Sequence, residues 1–135
     1  MLRRAVGDRR SEGDATRRLS SVLWHLARGQ EATAAAETAV AILEPLPAGI
    51  ELAQAYANLA ARRVMAARHE EAIETARRAR SIAATQSAPD VISDALDTEA
   101  VSAFYLGRDW AGLMERALRI ALGQDLHAAA GRAYC

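Results

Sequence analysis

The chain repeats itself at a step of about 40 residues, and this internal repeat restricts the possible folds more than any other feature. The segment Ala35–Ala39 (AAETA) is matched 37 positions later by Ala72–Ala76 (AIETA). Arg132-Ala133-Tyr134 echoes Gln54-Ala55-Tyr56 after 78 positions, which is two steps. Each step holds two amphipathic helical patterns, and stacked helix pairs of this length are typical of an α-solenoid. We therefore expect an all-α superhelix.

Composition agrees with this fold class and excludes several functions. About a quarter of the residues are alanine, which has the highest helix propensity, and the alternation typical of strands is almost absent. The formal net charge is zero, so the whole molecule has no electrostatic attraction to nucleic acid or to an anionic membrane. We see no membrane span, no signal peptide and, with one cysteine, no disulfide framework, so we expect a cytoplasmic protein. All basic residues are arginine, which suggests a GC-rich, bacterial source.

Hydrophobic periodicity predicts about three helix pairs followed by a partial seventh helix, which together form a right-handed superhelix. Asp14 is the expected start of the first helix, although the helix could begin a turn or more earlier, and Gly29 is its expected end. Gly123 is expected to end the sixth helix. We predict a single domain with a lead-in at 1–13, repeats at about 14–48, 49–88 and 89–124, and a partial repeat at 125–135.

The second helix pair resembles a tetratricopeptide repeat. Tyr56 stands where that family usually has tryptophan, and it is followed by the family's leucine at Leu59 and its small residue at Ala60. Ala72 and Ala79 occupy the small positions where the paired helices cross. The first pair matches the pattern at Leu19, Val22, Ala35, Ile42 and Pro47. The sequence departs from the family at Leu23, Arg63, Ala67 and Glu99, where a small residue, tyrosine, the turn glycine and leucine are usual.

More narrowly, residues 8–135 resemble the tetratricopeptide-like region of large bacterial LuxR-type, ATP-dependent transcriptional regulators. The resemblance rests on the runs at 20–24 (SSVLW), 42–47 (ILEPLP) and 106–110 (LGRDW). In those regulators the region lies between an ATPase module and a DNA-binding helix–turn–helix. Neither a phosphate-binding G-x-x-x-x-G-K-[ST] motif nor a separate basic helix occurs in this sequence. The resemblance implies a sensor or scaffold fragment without ATPase or DNA-reading residues.

In a stack of helix pairs, the first helix of each pair lines a concave groove, where binding partners lie. We expect a protein or peptide partner there, with Phe104 and Tyr105 as the main anchors because aromatic side chains on a rigid face bind well. An array that ends inside a repeat also leaves an apolar end uncovered. We therefore expect a homodimer through residues 126–135 or through the N-terminal end, unless the short helix forms a cap. The candidate groove residues are Gln54, Ala57, Ala61, Val64, Met65, Asp97, Val101, Phe104 and Tyr105.

Two other function classes stay open. A small-molecule effector could occupy the groove, which a deep apolar pocket with convergent polar groups would favour. A helical enzyme would need a catalytic set, for example two carboxylates facing each other in a cleft, and the sequence contains no such motif. Histidines His25, His69 and His127 lack metal-ligand spacing, and Ser20-Ser21 has no base nearby. We therefore expect no enzyme, no cofactor and no metal. Glu99, on an apolar stripe, is expected to pair with an arginine of a neighbouring helix.

Overall fold

The computed structural model describes the backbone from Leu2 to Tyr134 and the side chains of residues 4–123. This part of the chain folds into six α-helices and contains no strand, so the predicted all-α class is confirmed. Helices that follow each other in sequence pack against each other, which gives three hairpins in a row. The helices are α1 (Leu2–His25), α2 (Gly29–Leu43), α3 (Ile50–Met65), α4 (His69–Thr85), α5 (Pro89–Tyr105) and α6 (Ala111–Tyr134).

The turns inside the three hairpins share one backbone conformation at a spacing of 40 residues. Ala27, Ala67 and Gly107 all have positive φ, at 60°, 59° and 70°. The residue after each of them donates its N–H to a carbonyl five positions earlier, at 2.9, 2.9 and 2.8 Å. This pattern is a Schellman motif, in which one left-handed residue ends a helix. The missing turn glycine is therefore replaced by an alanine that adopts the glycine conformation.

α1 begins at Leu2 and not at Asp14, so the residues of the expected lead-in that the structure describes are helical. Gly13 lies where α1 crosses α2, and a Cβ built there would lie 2.5 Å from Leu43 Cγ, so the close helix contact needs glycine. Arg10 donates to the Pro47 carbonyl, in the loop between α2 and α3, at 3.0 Å and to the Glu51 carboxylate, in the first turn of α3, at 3.3 Å. Packing against α2 therefore explains why Gly13 does not interrupt the helix.

Two other boundaries also differ from the prediction. Gly29 is the first residue of α2 and does not end α1, because the turn is made by Ala27. Gly123 does not end α6, which continues to Tyr134, so the expected seventh helix is part of α6. A glycine inside a helix costs only about 1 kcal/mol, and the good helix formers around it outweigh that cost. The expected dimer through 126–135, the histidine at 127 and the repeat of Tyr56 at Tyr134 concern side chains outside the described residues.

The main core lies between α2, α3 and α4 and is built from large side chains separated by alanines. Leu43, Leu52, Leu59 and Tyr56 are each less than a tenth exposed. The Tyr56 hydroxyl donates to the Glu44 carboxylate, and burial together with this carboxylate raises the pKa of Tyr56. Small residues let the helix backbones approach closely. The fully buried core alanines are Ala36, Ala39, Ala55, Ala60, Ala76, Ala79 and Ala95.

Measured by length and mean hydropathy, none of the helices in the described part of the chain qualifies as a membrane span.

Candidate functional site

One row of helices forms the inner wall of the array. The backbone of α3 contacts those of α1 and α5, whereas, among the described residues, the backbones of α2, α4 and α6 do not approach one another. Helices in contact on one side and separated on the other bend the array, so the row of α1, α3 and α5 is concave. We call this concave surface the groove. It is the surface on which the sequence placed the candidate binding residues.

A cavity of about 380 Å³ lies in the groove. Four of the candidate residues line it: Gln54, Ala57 and Ala61 from α3, and Asp97 from α5. Polar groups that the sequence analysis did not single out complete the wall. They are Arg17 from α1, Asn58 from α3, and Asp90, Asp94 and Thr98 from α5, with Val91 as a further apolar contact.

Three carboxylates form a row along the wall that α5 contributes. Asp90, Asp94 and Asp97 follow each other at i, i+4 and i+7, which places them on one face of the helix. Among the described residues, no arginine or histidine lies within ion-pair distance of any of them. Partial desolvation raises the pKa of Asp94, and the neighbouring charges of Asp90 and Asp97 raise it further. The row is therefore an uncompensated negative surface, and its spacing was visible in the sequence.

The opposite wall of the cavity is polar and includes one arginine, Arg17. Arg17 donates to the Asp14 carboxylate at 2.9 Å and 3.1 Å, so its charge is partly neutralised within α1. The Asn58 side-chain amide donates to Ser20 Oγ at 3.0 Å, and Ser20 donates in turn to the Ala32 carbonyl at 2.7 Å. Ser20 is fully buried in this chain of hydrogen bonds. Through these hydrogen bonds Ser20 connects α1, α2 and α3, so its role is to stabilise their packing.

The aromatic candidates lie at the C-terminal end of α5, outside the cavity. Phe104 and Tyr105 are 58% and 66% exposed. The ring of Phe104 meets those of Tyr105 and Trp110 edge to face, with centroids 5.6 and 5.8 Å apart, and Tyr105 stacks on His69 at 4.9 Å. We call Phe104, Tyr105 and Trp110 the aromatic cluster. His69 begins α4, as expected of a helix-end residue, and its Nδ1 lies 3.1 Å from Ser102 Oγ.

The remaining candidates are more dispersed. Met65 is exposed and lines a second cavity of about 240 Å³ together with Trp24 and Arg62. The Arg62 guanidinium carbon lies 4.4 Å from the centroid of the Trp24 ring, and burial lowers the pKa of Arg62. Sequence reasoning missed this contact between α1 and α3. Val64 and Val101 are partly buried and line neither cavity.

The predicted partner of Glu99 is confirmed, and two arginines share it. Glu99 is 2% exposed; Arg77 Nε lies 2.8 Å from Oε1, and Arg80 Nη2 lies 3.2 Å from Oε2. Both arginines belong to α4, so the pair joins α4 to α5 on the side away from the groove. Other arginines also make ion pairs along or between helices, among them Arg9, Arg10 and Arg78. Within the described residues, no three His, Cys, Asp or Glu side chains are placed to hold a metal ion.

The fold is that of a TPR-like helical repeat. No family model matches the sequence, and no curated protein matches it either. Among solved structures, the fold is similar to that of aspartyl phosphate phosphatase F from Bacillus subtilis, with a TM-score of 0.76 and 18% sequence identity. The similarity covers 93% of this chain and 34% of that protein, so this chain spans about a third of its length.

Proposed function

We propose that the protein is a non-enzymatic interaction scaffold whose groove binds an extended peptide segment of a partner protein. The observation that carries this proposal is a single stripe on α5 with two kinds of surface. Asp90, Asp94, Asp97, Val101 and Phe104 follow one another at spacings of four and three residues, so they lie on one helix face. The stripe begins with the unpaired carboxylates and ends at the aromatic cluster. A peptide along it would meet negative charge first and exposed rings second.

The length of the stripe sets the spacing of the complementary residues in the partner. Ten residues separate Asp94 from Phe104, which corresponds to about 15 Å along a helix. An extended peptide covers that distance in about four or five residues at roughly 3.3 Å each. We therefore expect the partner to present an arginine or lysine and, four or five residues away, an aromatic or large aliphatic side chain.

Fluorescence anisotropy with labelled peptides tests this proposal. One peptide carries an arginine and a phenylalanine five residues apart, and a second peptide has glutamate in place of the arginine. We expect the first peptide to bind and the second to bind at least about ten times more weakly. This loss of affinity corresponds to the free energy of one charge-assisted hydrogen bond. Binding should also weaken with added salt, because the charges are exposed.

Matched variants distinguish the groove from non-specific attraction. Asp94→Asn and Phe104→Ala should each weaken binding about tenfold. Glu115→Gln and Leu118→Ala remove an exposed carboxylate and an exposed apolar side chain from α6, and they should leave binding unchanged. If the α5 variants and the α6 variants change binding equally, or if the arginine peptide is not preferred, the groove is excluded as the binding surface.

Two features weigh against the other function classes. The cavity is open and lined largely by polar groups, whereas small-molecule sites are mostly apolar and enclosed. Three carboxylates do share the cleft, yet all come from one face of α5, and the opposite wall presents Arg17, Gln54 and Asn58. Two carboxylates acting as acid and base flank their substrate from opposite sides.

The similar solved structure is named a phosphatase, and we propose no phosphatase activity for this chain.

We further propose that the scaffold belongs to a bacterial transcriptional regulator of the LuxR type and acts in the cytoplasm. The support is the resemblance of the sequence runs at 20–24, 42–47 and 106–110 to the tetratricopeptide-like region of those regulators. The neighbouring coding sequence tests this relation. An ATPase module upstream and a helix–turn–helix downstream would support it, and unrelated neighbours would contradict it.

A further inference from the structure

A cavity lined by arginines lies between α4, α5 and α6, and we call it the arginine cavity. Its volume is about 330 Å³, and it is open to solvent. None of its lining residues belongs to the groove cavity, so a ligand bound here would be independent of the peptide proposed above. The lining consists of Arg77, Arg80, Ser81 and Ala84 from α4, Ile92 from α5 and Arg116 from α6.

The charges around the arginine cavity do not balance. Among the described residues, the Glu99 carboxylate is the only acidic group within ion-pair distance of the three arginines, at 2.8 Å from Arg77 and 3.2 Å from Arg80. Arg116 is exposed, and the part of the chain that the structure describes offers it no ion pair. Because arginine stays protonated at physiological pH, three positive charges against one negative charge leave an excess of about two positive charges.

Other carboxylates of α4 do not compensate this excess. Glu70 pairs with Arg108, and Glu74 pairs with Arg78 at 3.2 Å. Each of these pairs is neutral by itself, since it contains one charge of each sign. The excess at the arginine cavity is therefore local, and it is available to an anion.

The preceding repeat shows that packing of the helices does not require these charges. The residues that lie 40 positions before Arg80, Glu99 and Arg116 are Val40, Leu59 and Ala76. All three are apolar, are less than a tenth exposed and belong to the main core. Replacing a buried ion pair with apolar residues is often neutral or stabilising. The charged positions are thus better explained by a ligand than by the stability of the fold.

We propose that the arginine cavity binds the phosphate group of a phosphorylated side chain on a partner protein. Guanidinium groups form paired hydrogen bonds with phosphate oxygens, and clusters of arginine recognise phosphorylated segments. A phosphorylated side chain carries about 1.5 to 2 negative charges at pH 7, which matches the excess of the cavity. A carboxylate carries a single charge and would leave part of the excess uncompensated.

The shape of the cavity fits a phosphate on a protein surface better than a free small molecule. Small-molecule sites enclose most of their ligand, whereas this cavity is open. Glu99 holds Arg77 and Arg80 beside the cavity, so these side chains lose less conformational entropy when they bind. Ser81 contributes a hydroxyl group, and Ile92 contributes an apolar surface for the atoms next to the phosphate.

Phosphorus NMR during a titration with the protein tests the proposal. The probe is an uncharged short peptide with one phosphoserine at its centre. At low ionic strength we expect a dissociation constant on the order of 1 mM, because the contacts are few and exposed. Inorganic phosphate should bind at least about three times more weakly, because it lacks the contacts next to the phosphate. Dimethyl phosphate, a diester with a single charge, should bind at least about ten times more weakly than the peptide.

Three results would overturn the proposal. The phosphorus signal of the peptide would not change up to about 2 mM protein, where more than half of it should be bound. Inorganic phosphate would bind as tightly as the peptide, which would identify a site for the free anion. Dimethyl phosphate would bind as tightly as the peptide, which would point to the phosphodiester backbone of a nucleic acid.

Two variants of α6 locate the site. Arg116→Gln removes one of the three arginines and should weaken binding of the phosphopeptide at least about tenfold. Arg119→Gln removes the same charge from an exposed position of the same helix that does not line the cavity, and it should change binding by less than about threefold. Equal losses in the two variants would show a general attraction to α6 and exclude the arginine cavity. Because both side chains are exposed, circular dichroism should show the parent helix content for both variants.

Discussion

Replacing the two turn alanines with glycine should stabilise the protein. Ala27 and Ala67 have φ of 60° and 59°, a left-handed conformation that costs an L-residue about 1–2 kcal/mol and costs glycine almost nothing. Glycine also makes the unfolded chain more flexible, which reverses about 0.4–1 kcal/mol of this gain. The expected net increase in the free energy of unfolding is therefore about 0.5–1 kcal/mol at each turn.

The third turn provides the reverse experiment. Gly107 has φ of 70°, and a Cβ built there would have no atom within 4 Å. Gly107→Ala therefore adds no steric clash, and its cost isolates the backbone conformation. We expect the free energy of unfolding to fall by about 0.5–1 kcal/mol. The two alanine-to-glycine variants and the one glycine-to-alanine variant therefore test the same backbone conformation in opposite directions.

Thermal denaturation followed by circular dichroism measures the effect. For a chain of this length, 1 kcal/mol shifts the midpoint by about 4 °C, so Ala27→Gly and Ala67→Gly combined should raise it by about 4–8 °C. Ala34→Gly is the matched control, because Ala34 is exposed within α2, where glycine costs about 1 kcal/mol. If glycine lowers the midpoint at the turns as it does at Ala34, the turn conformation assigned to these alanines is wrong.

Three further predictions concern packing and charge. Gly13→Ala should lower the free energy of unfolding by about 1–2 kcal/mol, because a Cβ there would lie 2.5 Å from a leucine side chain. Gly7→Ala has open space around it and should raise the free energy of unfolding by about 0.5–1 kcal/mol. Urea denaturation measures both changes. Glu99→Leu should leave the free energy of unfolding unchanged or raise it, whereas Arg80→Met should lower it by about 2–3 kcal/mol. The reason is that only Arg80→Met leaves a buried carboxylate short of a partner. A larger loss of stability in Glu99→Leu than in Arg80→Met would refute this. The raised pKa of Asp94 means that the folded state holds its proton more tightly, so stability falls as pH rises above the ordinary value of 3.8. Asp94→Asn should remove that fall and raise the thermal midpoint at pH 7, and an unchanged pH profile would contradict the assignment.

The sequence by itself determined the helices and their order. The repeat of about 40 residues and the 3.6-residue periodicity predicted about three helix pairs, and the described part of the chain contains three hairpins. These features are local, because a helix depends on residues three and four positions apart. The pairing of Glu99 with arginine was also predictable, since a buried carboxylate on an apolar stripe requires a cation.

Only the tertiary structure decided which faces are covered. Leu19 and Leu59 have the same residue type and the same place in the repeat, yet one is exposed and the other is buried, because burial depends on which helix packs against each. The tertiary structure likewise brings Arg17 and Asp94, which are far apart in sequence, into the lining of one cavity. Periodicity specifies the stripe on each helix, whereas the neighbours of that stripe depend on the stacking of all six helices.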